Sequence, residues 1–269
     1  MNWPPVGECS ENPVKIAIIS DCTVAPPIRM ADFIFGREKE LQILKLRLLK
    51  RTPFLLHGPT GVGKTLLIRS LLPQVPTALY CANSATARAV FRRVAQALLE
   101  LHDQRVQRFC GDGDGIQAKS VVSLKGIVMD ALREGNYCIV MDHLNRPSQA
   151  FAAAVREIIS RCSTPVIALA RSSHMEDTGF LQSSYSDRSE KYELKNLDSA
   201  VAEQFAREIV RRTVLSAANI DEFLAKVLEL SEGNPGAIVS MLEMAKYPKY
   251  RTDEHIKIAP LYIDFRMNW

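Results

Sequence analysis

The sequence predicts an α/β fold, in which a three-layer parallel sheet with helices on both faces is followed by a small all-helical domain. Between residues 53 and 197 short apolar runs alternate with helical stretches, which is typical of a covered parallel sheet. Three helical stretches then follow with no strand between them. The chain has 269 residues, enough to bury a large core and a smaller satellite.

The individual elements follow from the apolar periodicity and its boundaries. Short apolar runs predict strands over 53–58, 76–82, 137–142, 164–171 and 191–197. Core helices are expected over 37–49, 62–72, 84–103 (capped by Ser84), 117–134 and 148–161, with a loop over 109–115. The helical domain takes 198–212, 219–231 and 235–246. The final stretch, 255–269, alternates and predicts one further strand, while residues 1–30 fit either a loose arm or an edge strand.

Composition excludes several classes of protein. The net charge is +4, which permits a DNA-binding surface without indicating one. Six scattered cysteines lack metal-ligand spacing and fit reduced thiols. The sequence has neither a signal-peptide pattern nor an apolar run long enough to span a membrane. A cytoplasmic location, with no membrane partner, is therefore expected.

The segment HGPTGVGKT, His57 to Thr65, matches the pattern GxxxxGK(S/T) between an apolar strand and an apolar helix. Backbone N–H groups of such a loop point at phosphate oxygens, the lysine reaches the β- and γ-phosphates, and the hydroxyl ligates Mg²⁺. No NKxD sequence is present, so adenine is favoured over guanine. The predicted ATP-binding residues are Gly58, Pro59, Thr60, Gly61, Val62, Gly63, Lys64, Thr65 and the following Leu66.

An aspartate at the end of a later strand completes a predicted Mg²⁺ site. Asp142 ends the apolar run CIVMD and is expected to act with Thr65 as a metal ligand. The strand over 76–82 is expected between the two phosphate strands. The next residue is His143. ATPases that have an additional strand between the two phosphate strands usually carry a glutamate at this position. Three interpretations stay open: a neutral general base, a residue that only orients water, or a residue with no role.

Four motifs together resemble the AAA+-related STAND ATPases and the origin-recognition-like ATPases. They are FIFGREKEL (33–41), the phosphate loop, IALARS (167–172) and SEGNPGAIV (231–239). The resemblance implies a P-loop NTPase core over 32–197, a helical lid over 198–250 and ATP-dependent switching or assembly. An N-terminal arm (1–31) and a C-terminal segment (251–269) flank them.

The resemblance also implies roles for individual residues. Arg171 would sense the γ-phosphate, and Arg188 would act as an arginine finger on a neighbouring subunit. Gly36 and Arg37 would lie close to the adenine, and Pro235 near the adenine or ribose. Each has a simpler alternative, such as an exposed arginine or a proline at a helix start.

The resulting hypothesis is an ATP-binding switch or assembly ATPase with slow or conditional hydrolysis, acting with a second copy of the chain or a protein partner. The alternatives are a DNA-associated AAA+ ATPase and a non-hydrolysing scaffold. A steep salt dependence of DNA binding would identify the former.

Overall fold

The computed structural model describes residues 34–82, 86–111 and 115–269. The expected N-terminal arm and the proposed cap Ser84 lie outside the described residues. Within those three ranges, no helix combines the length and the apolar character needed to cross a membrane.

Five parallel strands form the central sheet, in the order β2-β3-β4-β1-β5. Their side chains are mostly buried because helices cover both faces. The strands are β1 (Phe54–His57), β2 (Ala78–Ala82), β3 (Cys138–Asp142), β4 (Val166–Ala170) and β5 (Lys191–Glu193). The architecture confirms the predicted α/β class.

The predicted position of β2 is wrong. A strand does separate β1 from β3, but it is β4, which pairs with β1 at Leu56↔Leu169 and with β3 at Val140↔Ile167. Strand β2 lies at the edge beyond β3. Because a crossover helix lets the chain skip a strand position, the order of strands in the sequence does not fix their order in the sheet.

Two sets of helices cover the sheet. Helices α1 (Glu38–Leu49) and α2 (Lys64–Leu71) pack on the face that carries Leu56 and Val140. Helices α3 (Ala87–Glu100), α6 (Val121–Glu134) and α7 (Gln149–Cys162) pack on the opposite face. Two short helices, α4 (Gln104–Cys110) and α5 (Gly115–Ala118), lie between α3 and α6, and α8 (Met175–Thr178) follows β4. The 3₁₀ turns span Leu72–Gln74, Gly179–Tyr185 and Arg188–Glu190.

The expected loop over 109–115 is partly helical. The side chain of Asp103 caps α4 by accepting hydrogen bonds from the N–H groups of Arg105 and Val106. Val106 and Cys110, one helical turn apart, are buried. Three of the seven residues, 112–114, are outside the described ranges. Gly111 follows the end of α4, and Gly115 is the first residue of α5.

The lid consists of α9 (Ser199–Thr213), α10 (Ile220–Ser231) and α11 (Pro235–Met244). Its helices share one apolar cluster that includes Phe205, Phe223 and Ile238. A 3₁₀ turn (Pro248–Tyr250), a two-stranded antiparallel hairpin of β6 (Arg251–Thr252) and β7 (His255–Ile256), and helix α12 (Ile258–Asn268) follow. Leu261 and Phe265 of α12 bury into the same cluster.

The strand expected over 255–269 is therefore wrong. Only His255 and Ile256 form a strand, and Ile258–Asn268 form α12. Leu261 and Phe265 are four residues apart and both buried, whereas Ile263 between them is 57% exposed. The apolar residues repeat with a helical period here, and the alternation in the sequence is incidental.

Candidate nucleotide-binding site

The phosphate loop, residues 58–65, connects β1 to α2. Its glycines meet separate steric demands. Gly63 precedes α2 with φ 101°, and a Cβ on Gly58 would lie 2.2 Å from the carbonyl oxygen of Leu194. The Gly58 N–H donates a 3.2 Å hydrogen bond to the Arg171 carbonyl, which fixes the loop against the end of β4.

The loop forms one wall of a cavity of about 710 Å³, a volume within the range of small-molecule sites. The opposite wall comes from the carboxyl ends of β3 and β4. The lining residues are Thr60, Gly61, Gly63, Lys64, Thr65, Leu66, Asp142, His143, Leu144, Asn145, Leu169, Ala170 and Arg171. The fold thus brings together most of the predicted loop residues with Asp142, His143 and Arg171.

Lys64 lies over the loop. Its Nζ donates hydrogen bonds to the carbonyl oxygens of Gly58, at 2.7 Å, and Pro59, at 2.9 Å. Burial lowers the pKa of Lys64, while the nearby carboxylate of Asp142 acts in the opposite direction. The lysine therefore presents a poorly solvated cation at the start of α2, where the helix dipole also favours an anion.

Asp142 is held by hydrogen bonds at both carboxylate oxygens. Its Oδ1 accepts from the backbone N–H of His143 at 2.7 Å, and its Oδ2 accepts from the hydroxyl of Tyr80 at 2.6 Å. The residue is 2% exposed and is the one carboxylate among the described residues that line the cavity. This arrangement presents a fixed negative charge opposite the phosphate loop.

His143 adopts a backbone conformation that side-chain-bearing residues seldom use. Its φ is 58°, in the left-handed region, and such strain is found preferentially at functional positions. The imidazole is 58% exposed, and its Nδ1 lies 3.3 Å from Asp142 Oδ1. The ring therefore faces the cavity with one nitrogen directed towards a carboxylate.

Arg171 lines the cavity but is paired with another residue. Its Nε and Nη2 lie 3.1 and 2.9 Å from Asp177 Oδ1, and Ser172 Oγ donates to Asp177 Oδ2 at 2.7 Å. Burial acts to raise the pKa of Asp177, but the hydrogen bonds from Ser172 and Arg171 outweigh it and hold that pKa below its usual range.

Other predicted residues lie away from the cavity lining. Arg37 is buried and donates to Glu40 Oε1 and to the Lys195 carbonyl oxygen. Gly36 packs against Val201 of α9. Gly58, Pro59 and Val62 belong to the loop but do not line the cavity. Pro235 begins α11, and Arg188 is exposed in a 3₁₀ turn. Their predicted roles towards a nucleotide or a neighbouring subunit stay predictions.

The lid docks onto the outer side of the phosphate loop. Asn234 Nδ2 donates to the Thr60 carbonyl at 2.8 Å, and the Gly236 N–H donates to the Gly61 carbonyl at 2.9 Å. The Trp269 ring packs at the same place, since a Cβ on Gly61 would lie 2.8 Å from its Cζ2. The GNP motif thus touches the loop through its asparagine and the glycine that follows the proline.

Four residues of this arrangement were not predicted from the sequence. They are Tyr80, Asp177, Trp269 and Asn234, the last as a hydrogen-bond donor to the loop. The partners of Tyr80, Asn234 and Trp269 are far away along the chain, as with Tyr80 and Asp142, which are 62 residues apart. Asp177 instead bonds Arg171 and Ser172, six and five residues before it. A tyrosine in an otherwise apolar strand was the only signal for the first, since a buried tyrosine hydroxyl usually has a hydrogen-bond partner.

Comparison with solved structures gives neighbours of the same fold. The Orc1 protein of Aeropyrum pernix, solved with DNA, aligns over 90% of this chain and 67% of its own with 17% identity and TM-score 0.62. The Walker-type ATPase paby2304 of Pyrococcus abyssi aligns over 78% and 67%, with 18% identity and TM-score 0.55. The STAND protein PH0952 of Pyrococcus horikoshii, which has a tetratricopeptide repeat sensor, aligns over 91% and 34%, with 15% identity and TM-score 0.51.

These likenesses establish the fold, and the chain spans about two thirds of the first two proteins and one third of the third. Comparison with curated protein sequences finds no match. The family described as "AAA ATPase domain" matches residues 34–169, just over half of the chain. That match covers the phosphate loop, Asp142 and His143, and this chain therefore belongs to the AAA ATPase domain family, as an AAA+ P-loop ATPase domain related in fold to the Orc1/Cdc6 and STAND proteins.

Proposed function

We propose that the chain binds ATP with Mg²⁺ in the cavity beside the phosphate loop and hydrolyses it slowly or conditionally, as a nucleotide-dependent switch or assembly ATPase. One observation carries this proposal: Lys64 and Thr65 at the start of α2 face Asp142 at the end of β3 across a single cavity. A cation, a hydroxyl and a buried carboxylate in that arrangement match the needs of a metal-bound triphosphate.

The donor set fits both ligands. The ammonium of Lys64 would hold the β- and γ-phosphates, and the Thr65 hydroxyl and the Asp142 carboxylate would hold Mg²⁺. Mg²⁺, when bound, neutralises phosphate charge. The hard oxygen ligands are those that this ion prefers, and the hydrogen bonds to both oxygens of Asp142 keep its carboxylate oriented.

His143 can serve as the group that activates water. When its Nδ1, 3.3 Å from Asp142 Oδ1, carries the proton, Nε2 is left as an acceptor. A neutral imidazole with that tautomer takes a proton from a water molecule near neutral pH. The exposed ring holds a water less firmly than a packed side chain would, which favours slow turnover.

Turnover would require Arg171 to move from Asp177 to the γ-phosphate. Its guanidinium is 63% exposed, whereas the Asp177 side chain with which it pairs is only 11% exposed. Transfer of the guanidinium from Asp177 to a γ-phosphate would stabilise the transferring charge. It would also leave a largely buried carboxylate with the Ser172 hydroxyl as its donor, so turnover would depend on this exchange. Arg188 would act only on a neighbouring copy, so a finger role requires a homo-oligomer.

The test is ATP turnover by purified protein with Mg²⁺, compared with Lys64→Ala and His143→Glu. We expect slow turnover by the wild type and a loss of about 10²-fold or more in Lys64→Ala. Turnover should be faster in His143→Glu because a carboxylate brings a negative charge and two acceptor oxygens that orient and polarise the attacking water. Lys39→Ala, which removes an exposed lysine of α1, is the matched control and should leave turnover unchanged.

The remaining outcomes separate the alternatives. Equal rates for the wild type and His143→Glu would mean that histidine is sufficient and that hydrolysis is limited elsewhere. ATP binding without turnover in every variant would identify a non-hydrolysing scaffold. A wild-type protein that fails to bind Mg²⁺·ATP would overturn the proposal.

A further inference from the structure

Tyr80 connects the edge strand β2 to the predicted metal ligand. Its hydroxyl donates to Asp142 Oδ2 at 2.6 Å, and the tyrosine and the aspartate are 6% and 2% exposed. The sheet register explains the contact, because Tyr80 pairs with Val140 and Ala82 with Asp142. The two side chains are therefore diagonal neighbours on one face of the sheet, within reach of a long aromatic residue.

Two donors fix the carboxylate of Asp142. The backbone N–H of His143 holds Oδ1 and the Tyr80 hydroxyl holds Oδ2, so the plane of the group is set from two directions.

Tyr80 is itself held by the helix that follows the phosphate loop. The guanidinium carbon of Arg69, on α2, lies 5.9 Å from the centroid of the Tyr80 ring, a cation–π distance. Helix α2 begins with Lys64 and Thr65. Arg69, Tyr80 and Asp142 thus join the two halves of the predicted Mg²⁺ site through one buried ring.

We propose that Tyr80 is a positioning residue for the Mg²⁺ site, which orients the Asp142 carboxylate through its hydroxyl and ties it to α2 through its ring. The proposal rests on the proposed function. Hydrogen bonds to a ligating carboxylate commonly alter metal affinity by about 10- to 100-fold, so a change of that kind is the expected sign of Tyr80.

The test measures the affinity of the full chain for Mn²⁺, a paramagnetic substitute for Mg²⁺, at saturating ATP. Free Mn²⁺ is quantified by electron paramagnetic resonance. Tyr80→Phe should weaken Mn²⁺ binding by about 10-fold. The affinity for ATP without metal, measured in EDTA, should not change in Tyr80→Phe, because Lys64 and the loop are intact. An unchanged ATP affinity also shows that the variant is folded. A merely structural role would move both quantities together.

Tyr192→Phe is the matched control. Tyr192 lies on β5 at the opposite edge of the sheet, and Arg47 lies 5.6 Å from the centroid of its ring. Its loss should leave Mn²⁺ affinity unchanged. Asp142→Asn separates the two proposals: if it weakens Mn²⁺ binding and Tyr80→Phe does not, the role of Tyr80 is refuted while the metal site stands. If neither variant changes Mn²⁺ binding, the metal site itself is misplaced.

Discussion

At the scale of single residues, some members of the site can be predicted from the sequence and others cannot. Lys64 and Thr65 belong to a contiguous motif whose backbone must curl in one way, and Asp142 ends an apolar strand, so all three could be predicted. Tyr80 could not, because its contact depends on which strands become neighbours in the sheet. Asp177 is only six residues from Arg171, but no motif marks that contact. Motifs report local geometry, and side-chain partnerships report the register of the whole sheet.

His57, immediately before the phosphate loop, makes the stability of the fold sensitive to acid. Burial is the main cause that lowers its pKa below the ordinary value of 6.5, with Glu193 acting in the opposite direction. The unfolded chain therefore takes up this proton first as the pH falls, and stability decreases below about pH 6.5 until the folded form is also protonated. Above that range the contribution is fully present.

We expect His57→Gln to reduce this acid sensitivity. The measurement is the urea midpoint of unfolding at pH 8 and pH 5.5, where the wild type should lose more than the variant does. His255→Gln, an exposed histidine in β7, is the control and should behave as the wild type. An equal loss in all three proteins would mean that His57 titrates alike in both states.

At the scale of elements, the core was predictable and the C-terminal segment was not. Strands β1, β3 and β4 are short apolar runs, of which β1 and β3 end on a polar residue, His57 and Asp142, so their type is unambiguous. The segment 255–269 offers apolar residues at spacings that satisfy both periods over a short window. Only packing against the lid selects the helical spacing of Leu261 and Phe265.

Helix α12 provides a substitution pair that tests this assignment. A strand would place Leu261, Ile263 and Phe265 on one face, whereas the helix buries the first and third and leaves Ile263 57% exposed. Phe265→Ala should therefore lower the free energy of unfolding by about 3 kcal/mol. Ile263→Ala should change it by no more than about 0.5 kcal/mol. Urea unfolding followed by circular dichroism measures both, and equal losses would contradict the helical packing.

At the scale of the whole molecule, two sequence motifs mark places at which the lid contacts the core. Near α1, Gly36 fits against Val201 of α9, and the ring of Phe35 lies 6.0 Å from that of Phe205. At the phosphate loop, Asn234 and Gly236 donate to the carbonyl oxygens of Thr60 and Gly61. The GRE motif thus contacts α9 and the GNP motif contacts the phosphate loop, at two separate core–lid contacts.

The two polar side-chain atoms of Asn234 have different roles, one in folding of the lid and one in its docking to the loop. Its Oδ1 caps α11 by accepting from the Ala237 N–H, and its Nδ2 donates to Thr60. Asn234→Asp keeps an acceptor for the cap but removes the donor to the loop and to Asn196 Oδ1, 3.3 Å away. Loss of even one of these hydrogen bonds, about 1 kcal/mol, should raise the undocked fraction of the lid at least about fivefold.

Trp269 reports this change, because its ring packs at Gly61 and the only other tryptophan of the sequence is Trp3. In a Trp3→Phe background, Asn234→Asp should increase acrylamide quenching of Trp269, and Mg²⁺·ATP should alter the emission unless Lys64 is replaced by alanine. Asn219→Asp is the matched control, since Asn219 Nδ2 donates to the Ile256 carbonyl within the lid and away from the loop. Equal quenching in Asn234→Asp and Asn219→Asp would mean that the lid responds to loss of any amide donor, and that the contact with Thr60 does not couple lid docking to the phosphate loop.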